Sequence, residues 1–153
     1  MNNRTFTILK PNAVGNGHTG DILARIEKAG FRILTLKMLF LSRSDAEKFY
    51  AVHRERPFFG NLCLFMSSGP IVAAVLEKEN AIADFRKFIG ATDPARAESG
   101  SIRNLYGESI TRNAIHASDS EKNAAWETAF FFSEKEIIEA RYRLPIPPDQ
   151  IDS

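Results

Sequence analysis

The sequence predicts an α+β sandwich built on an antiparallel sheet, and three observations point there. Short runs of apolar, β-branched and aromatic residues alternate with stretches of helical periodicity. The run Ile71-Val72-Ala73-Ala74-Val75-Leu76 is continuously apolar, as in a strand covered on both faces. The chain has no internal repeat and no linker, and its 153 residues, 44% of them hydrophobic, suit one domain spanning 1–153 with a real core.

The elements follow in order. Phe6-Thr7-Ile8-Leu9 reads as a strand closed by Lys10-Pro11. A glycine-rich turn leads into a helix over 19–29, with Ile22, Leu23 and Ile26 at helical spacing and Gly30 at its stop. Residues 31–41 form the second strand. Ser44 then caps a short helix, with Glu47 three residues on. Pro57 suits the first turn of a helix over 58–66. After the apolar strand, a helix over 81–89 ends at Gly90, and the polar stretch 91–101 is long enough to be a functional loop. A short apolar segment ends at Ile115-His116. Ser118-Asp119-Ser120-Glu121 has the capping-box pattern and opens a helix through 130; a last helix starts near Ser133 and stops before Leu144-Pro145. The order β-α-β-helices-β-α-β is that of a ferredoxin-like βαββαβ sandwich with added helices.

Composition excludes several function classes. Twenty Lys and Arg against nineteen Asp and Glu leave a formal charge of +1, without the basic excess of a nucleic-acid binder. An anion site must therefore come from a few positioned groups. Cys63 is the only cysteine, so neither an intrachain disulfide nor a cysteine metal cluster can form; within Leu62-Cys63-Leu64-Phe65-Met66 it reads as a buried apolar residue. The N-terminal apolar stretch is too short for a signal peptide or a membrane span, which makes a cytoplasmic enzyme the expectation.

Gly15-Asn16-Gly17-His18-Thr19-Gly20 spells a dinucleotide-binding GxGxxG between a strand and a helix. Lys10-Pro11 ends the strand several residues too early for it, and Asp45 comes too late to be the ribose acid. The same stretch lacks the Lys and Ser or Thr of a phosphate-binding P-loop. The three histidines, His18, His53 and His116, have no zinc-helix spacing. His116 stands apart because it lies between an apolar segment and a helix start, where backbone N–H groups and the helix dipole favour an anion. A neutral imidazole there can attack phosphorus, although a structural histidine satisfies the same pattern.

Asn113-Ala114-Ile115-His116-Ala117-Ser118-Asp119 resembles the active-site signature of nucleoside diphosphate kinases. Other segments resemble the family in order: Arg4-Thr5-Phe6 with Ile8-Leu9-Lys10-Pro11, Arg56-Pro57-Phe58-Phe59, Ser68-Gly69-Pro70, Gly90-Ala91-Thr92-Asp93-Pro94-Ala95 and Gly100-Ser101-Ile102-Arg103. The resemblance runs from Arg4 to about Phe132.

That resemblance implies ping-pong transfer of the terminal phosphoryl group from a nucleoside triphosphate such as ATP or GTP to a nucleoside diphosphate, through a phosphorylated His116. It implies that Glu127 hydrogen-bonds the other imidazole nitrogen, and that Ser118 serves the helix cap and the site together. Lys10, Arg86, Thr92, Arg103 and Asn113 match the family's phosphate-binding positions, and Tyr50 a position near the histidine. Phe58 matches the base-stacking residue, with Leu62 and Ile110 as further apolar contacts. Magnesium (Mg2+) is implied as a cofactor held mainly by the nucleotide phosphates, with no protein metal site. A homo-oligomer is implied, a hexamer or a tetramer built from a common dimer, and neither a membrane nor a specific nucleic acid as partner. Ala117 departs from the family's usual glycine, and its Cβ is expected to restrict the backbone beside the phosphate. A non-catalytic nucleotide-binding module of the same fold is the competing reading. The segment 141–153, with two large apolar residues among prolines, is expected to lie extended against the domain or a neighbouring subunit.

Overall fold

The structure is a computed structural model that describes residues 3–138. The expected tail, 141–153, lies outside the described residues. Four strands, β1 (Arg4–Leu9), β2 (Arg32–Leu39), β3 (Ile71–Glu77) and β4 (Ile115–Ala117), form one sheet in the order β2-β3-β1-β4. Every neighbouring pair is antiparallel. The helices are α1 (Pro11–Gly15), α2 (Thr19–Lys28), α3 (Arg43–Phe49), α4 (Phe59–Met66), α5 (Ala81–Ile89), α6 (Ile102–Tyr106) and α7 (Glu121–Phe131). This is the ferredoxin-like arrangement, with β1-α2-β2 and β3-α5-β4 as its two halves and the other helices as additions.

The sheet separates two apolar layers because side chains alternate along each strand. Phe6 and Ile8 of β1, with Ala73 and Val75 of β3, pack beneath Phe49, Cys63, Phe65, Met66 and Phe131. Leu9, Val72, Ala74 and Leu76 face the other way, onto Ile22, Ile26, Phe85, Ile89 and Ile102. Both faces of β1 and β3 are therefore covered, and each large apolar side chain buried there contributes about 1.5–3 kcal/mol. Ile115 and Ala117 belong to the second layer. Alternation then turns His116, between them, toward the first. Cys63 is free and buried in the first layer, and burial pushes its thiol up.

The local punctuation differs from expectation in places. Ser42, not Ser44, caps α3, its hydroxyl accepting from the Asp45 amide at 3.0 Å. The extended backbone at Ser42 continues directly from buried Leu41, which fixes where the helix can begin. Ser120, not Ser118, caps α7, accepting from the Asn123 amide at 3.1 Å. Residues 11–15, expected as turn, form α1 with Pro11 at its first position, so a helix separates β1 from the glycine run and no tight strand-to-helix turn exists for a dinucleotide. Past Ser133 the described chain makes a single 3₁₀ turn, Glu134–Glu136. Helix α5 ends as expected at Gly90, whose φ of +92° needs glycine; a Cβ there would collide with the Ser101 side chain.

Candidate active site

His116 sits on β4 opposite Ile8 of β1. Its backbone carbonyl accepts from the Thr7 hydroxyl at 2.7 Å. Its imidazole is walled by aromatic rings set edge-on or tilted, with centroids at 5.5 Å for Phe49, 6.1 Å for Tyr50 and 6.2 Å for Phe6. Glu127, on α7 and 9% exposed, lies behind it. His116 Nε2 and Glu127 Oε1 are 2.8 Å apart. The buried Ser118 hydroxyl donates to the same carboxylate oxygen at 2.6 Å. With Nε2–H donating to the carboxylate, Nδ1 keeps its lone pair, and no described residue hydrogen-bonds it.

The cations expected around phosphate come together on the neighbouring side. Lys10 follows the last residue of β1, and its backbone N–H donates to Ala114 at 2.8 Å. Its side chain is 6% exposed. Burial, and secondarily the nearby Arg103, push its ammonium down to about 7. Arg103, on α6 and 8% exposed, donates to the carbonyls of Gly90 at 3.1 Å and Ile115 at 2.8 Å, while its buried Nε has no partner among the described residues. Burial, then Arg86, lower it to about 10. Arg86 of α5 is exposed and reaches the Ala117 carbonyl at 3.5 Å. Asn113 is buried; its amide donates to the Thr92 carbonyl at 3.0 Å, and its side-chain oxygen has no partner among the described residues. A cavity of about 390 Å³ is lined by Arg86, Thr92, Arg96 and Arg103 among others. Lys87 and the acid Glu98 line it too, whereas Lys10, Asn113 and His116 do not. Guanidinium forks around a cavity, with an ammonium beside one of them, are groups that take an anion with several oxygens.

The remaining candidates divide. Tyr50 packs beside His116, but its buried hydroxyl has no hydrogen-bond partner among the described residues, and burial, then Glu127, push it up. Phe58 is 44% exposed, its ring 5.4 Å from His53, which in turn stacks on Tyr50 at 6.5 Å. An apolar ring left in solvent at the end of that row is available to another flat group. Leu62 is instead buried in the first core layer, and Ile110 is exposed between α6 and β4. Ala117 shows no positive φ, so its Cβ strains nothing; the left-handed residue of the signature is Ala114, at φ +75°. Sequence reasoning missed Ala114 and the wall provided by Phe6 and Phe49. A glycine or asparagine would have signalled the former; alanine does not.

The family model of nucleoside diphosphate kinases matches residues 3–137. The chain belongs to that family. A nucleoside diphosphate kinase of Geobacter sp. (strain M21) is 55% identical over 135 residues, covering 88% of this chain and 98% of that protein. One from Flavobacterium psychrophilum is 57% identical over 134 residues, covering 88% and 96%. Among solved structures, an orthorhombic crystal form of the Aquifex aeolicus nucleoside diphosphate kinase superposes with a TM-score of 0.86 at 50% identity, covering 89% of this chain and 99% of that one. The Halobacterium salinarum nucleoside diphosphate kinase in complex with CDP superposes with a TM-score of 0.86 at 37% identity, covering 91% and 93%. This kinship supports a nucleoside diphosphate kinase, a phosphotransferase, over a silent binding module. Among the described residues no three His, Cys, Asp or Glu side chains converge as a metal cage, and no helix is long and apolar enough to cross a membrane.

Proposed function

We propose that nucleoside diphosphate kinase activity in this chain runs through Nδ1 of His116. The observation that carries the reading is the bonded row Ser118–Glu127–His116, which leaves Nδ1 as the nitrogen with a free lone pair beside a group of cations. In the first half-reaction that lone pair attacks the γ-phosphorus of a nucleoside triphosphate. The N–P bond forms, the bond to the β,γ-bridging oxygen breaks, and the diphosphate leaves with the electron pair. In the second, a terminal β-phosphate oxygen of another diphosphate attacks the phosphorus, and the N–P bond returns its pair to Nδ1. Glu127 steadies the positive charge on the ring throughout, with the Nε2 proton staying between them.

Lys10, Arg103 and Arg86 are proposed to neutralise the phosphoryl oxygens, with Asn113 and Thr92 as neutral donors. Phe58 is proposed to stack on the base. Leu62, buried as it is, would act from beneath, and Ile110 from the side. A ring stacks on any base, purine or pyrimidine, which suits kinship with a protein solved in complex with CDP. The cation-rich donor set fits polyphosphate better than a bare metal ion. Magnesium would arrive on the phosphates and spread their charge. A single domain, a homo-oligomer and a cytoplasmic location complete the proposal on kinship alone.

The test is a phosphoenzyme. γ-Labelled ATP with magnesium should place an acid-labile, alkali-stable phosphate on His116, and GDP should then remove it as GTP. Label that persists in His116→Ala, or that withstands acid, refutes the route.

A further inference from the structure

Among the described residues the ammonium of Lys10 lacks a counter-charge; the acid Glu98 lines the cavity of Arg86, Arg96 and Arg103. Lys10 is 6% exposed, and among the described residues no carboxylate or carbonyl bonds its ammonium. The charged group facing it is the buried guanidinium of Arg103 on α6. Arg86 of α5 stands behind Arg103 and adds to the positive field there. Helix α1, which follows Lys10 directly, carries no charged residue. Strand β3 presents Val72 opposite Leu9, and β4 presents Ile115 and then His116. Of the two acids of α7, Glu121 stands in its first turn and Glu127 is already engaged by His116 and Ser118.

A second cation buried beside a first is expensive unless one of them gives up its proton. Arginine does not do so readily, whereas lysine does. We propose that the buried, unpartnered Lys10 beside buried Arg103 takes up a proton from solvent when a nucleoside diphosphate or triphosphate binds. This deepens the nucleotide-binding reading above and rests on it. The polyphosphate supplies the missing anion, so the bound state favours the ammonium that the empty state disfavours. The sign follows: the bound complex holds more protons than the empty protein, so affinity falls as pH rises.

The size can be worked from the lowered ammonium. With Lys10 lowered to about 7 when empty and returned toward the ordinary lysine range by the phosphates, binding at pH 8 should take up roughly 0.9 proton. Between pH 7.5 and 8.5 the dissociation constant should then rise by roughly six- to tenfold. At these pH values the phosphates of free ADP have already lost their protons, so they contribute little.

The experiment is titration calorimetry of the full chain with ADP and excess magnesium at pH 8, in Tris and in HEPES, whose ionisation enthalpies differ. Wild type should show proton uptake, and Lys10→Arg, permanently charged, should bind ADP with uptake abolished. Binding by wild type with no proton uptake overturns the inference and leaves the nucleotide site standing. Undiminished uptake by Lys10→Arg assigns the proton elsewhere and also overturns it. Failure of wild type to bind ADP overturns both the inference and the functional reading beneath it.

Discussion

Replacing Glu127 by alanine removes one carboxylate that two donors share, the half-buried His116 Nε2 at 2.8 Å and the buried Ser118 Oγ at 2.6 Å. Two consequences follow, and they are separable. Unsatisfied buried donors cost about 1–3 kcal/mol each, offset by release of a buried charge, so a net loss of about 1–3 kcal/mol in unfolding free energy is expected. The imidazole also loses the acceptor that fixes its tautomer and the anion that steadies the phosphorylated ring. Loss of such a supporting partner slows chemistry by about ten- to a hundredfold, which is about 1.4–2.7 kcal/mol on the barrier. Rapid-quench measurement of phosphoenzyme formation from γ-labelled ATP reads that step directly. ADP affinity should hardly move, because the carboxylate points at the ring and not at the cations. Glu127→Gln keeps an acceptor oxygen without the charge and should fall between wild type and Glu127→Ala. A phosphorylation rate for Glu127→Ala within twofold of wild type would refute the reasoning. So would a loss confined to ADP affinity.

Phe58→Ala should weaken nucleotide binding by about 1–3 kcal/mol, with adenine, guanine and cytosine diphosphates affected alike. Calorimetry across the three checks it, and a loss confined to one base would mean specific hydrogen-bond readout instead. Gly90→Ala should lower stability by about 1–3 kcal/mol, since φ +92° suits glycine alone and the added Cβ meets Ser101. Urea denaturation reads this effect, and an unchanged midpoint would contradict the account of how α5 ends.

The two central strands and α5 were legible because their signals are local and unopposed. Residues 71–76 are apolar without interruption, and α5 has helical spacing closed by a glycine. Helices α1 and α6 were not, because five residues are too few to display a period. The two capping corrections share a cause. Where several serines stand close together, the chain's entry from the preceding buried residue selects among them, and that entry is a tertiary property. In the site, the residue types pointed to phosphate chemistry only as a set, since a lysine after a strand and an arginine on a helix are individually commonplace. That Lys10 and Arg103 are both buried could be learned only from the fold, and the pairing of Glu127 with His116 was expected from the resemblance and not from the spacing of the residues. Ala114 illustrates the remainder: its left-handed backbone is imposed by its surroundings and leaves no mark in its residue type.

The rings of Phe6, Phe49 and Tyr50 leave the imidazole of His116 no room to swing. Many group-transfer proteins carry their cargo on a flexible arm from one station to another. On the proposed route the carrier is a fixed post, and the traffic is all on the other side. Whatever is loaded at Nδ1 waits at one point in space while one nucleotide departs and the next diffuses in. On the proposed route through Nδ1, the histidine has no journey to complete between one nucleotide and the next.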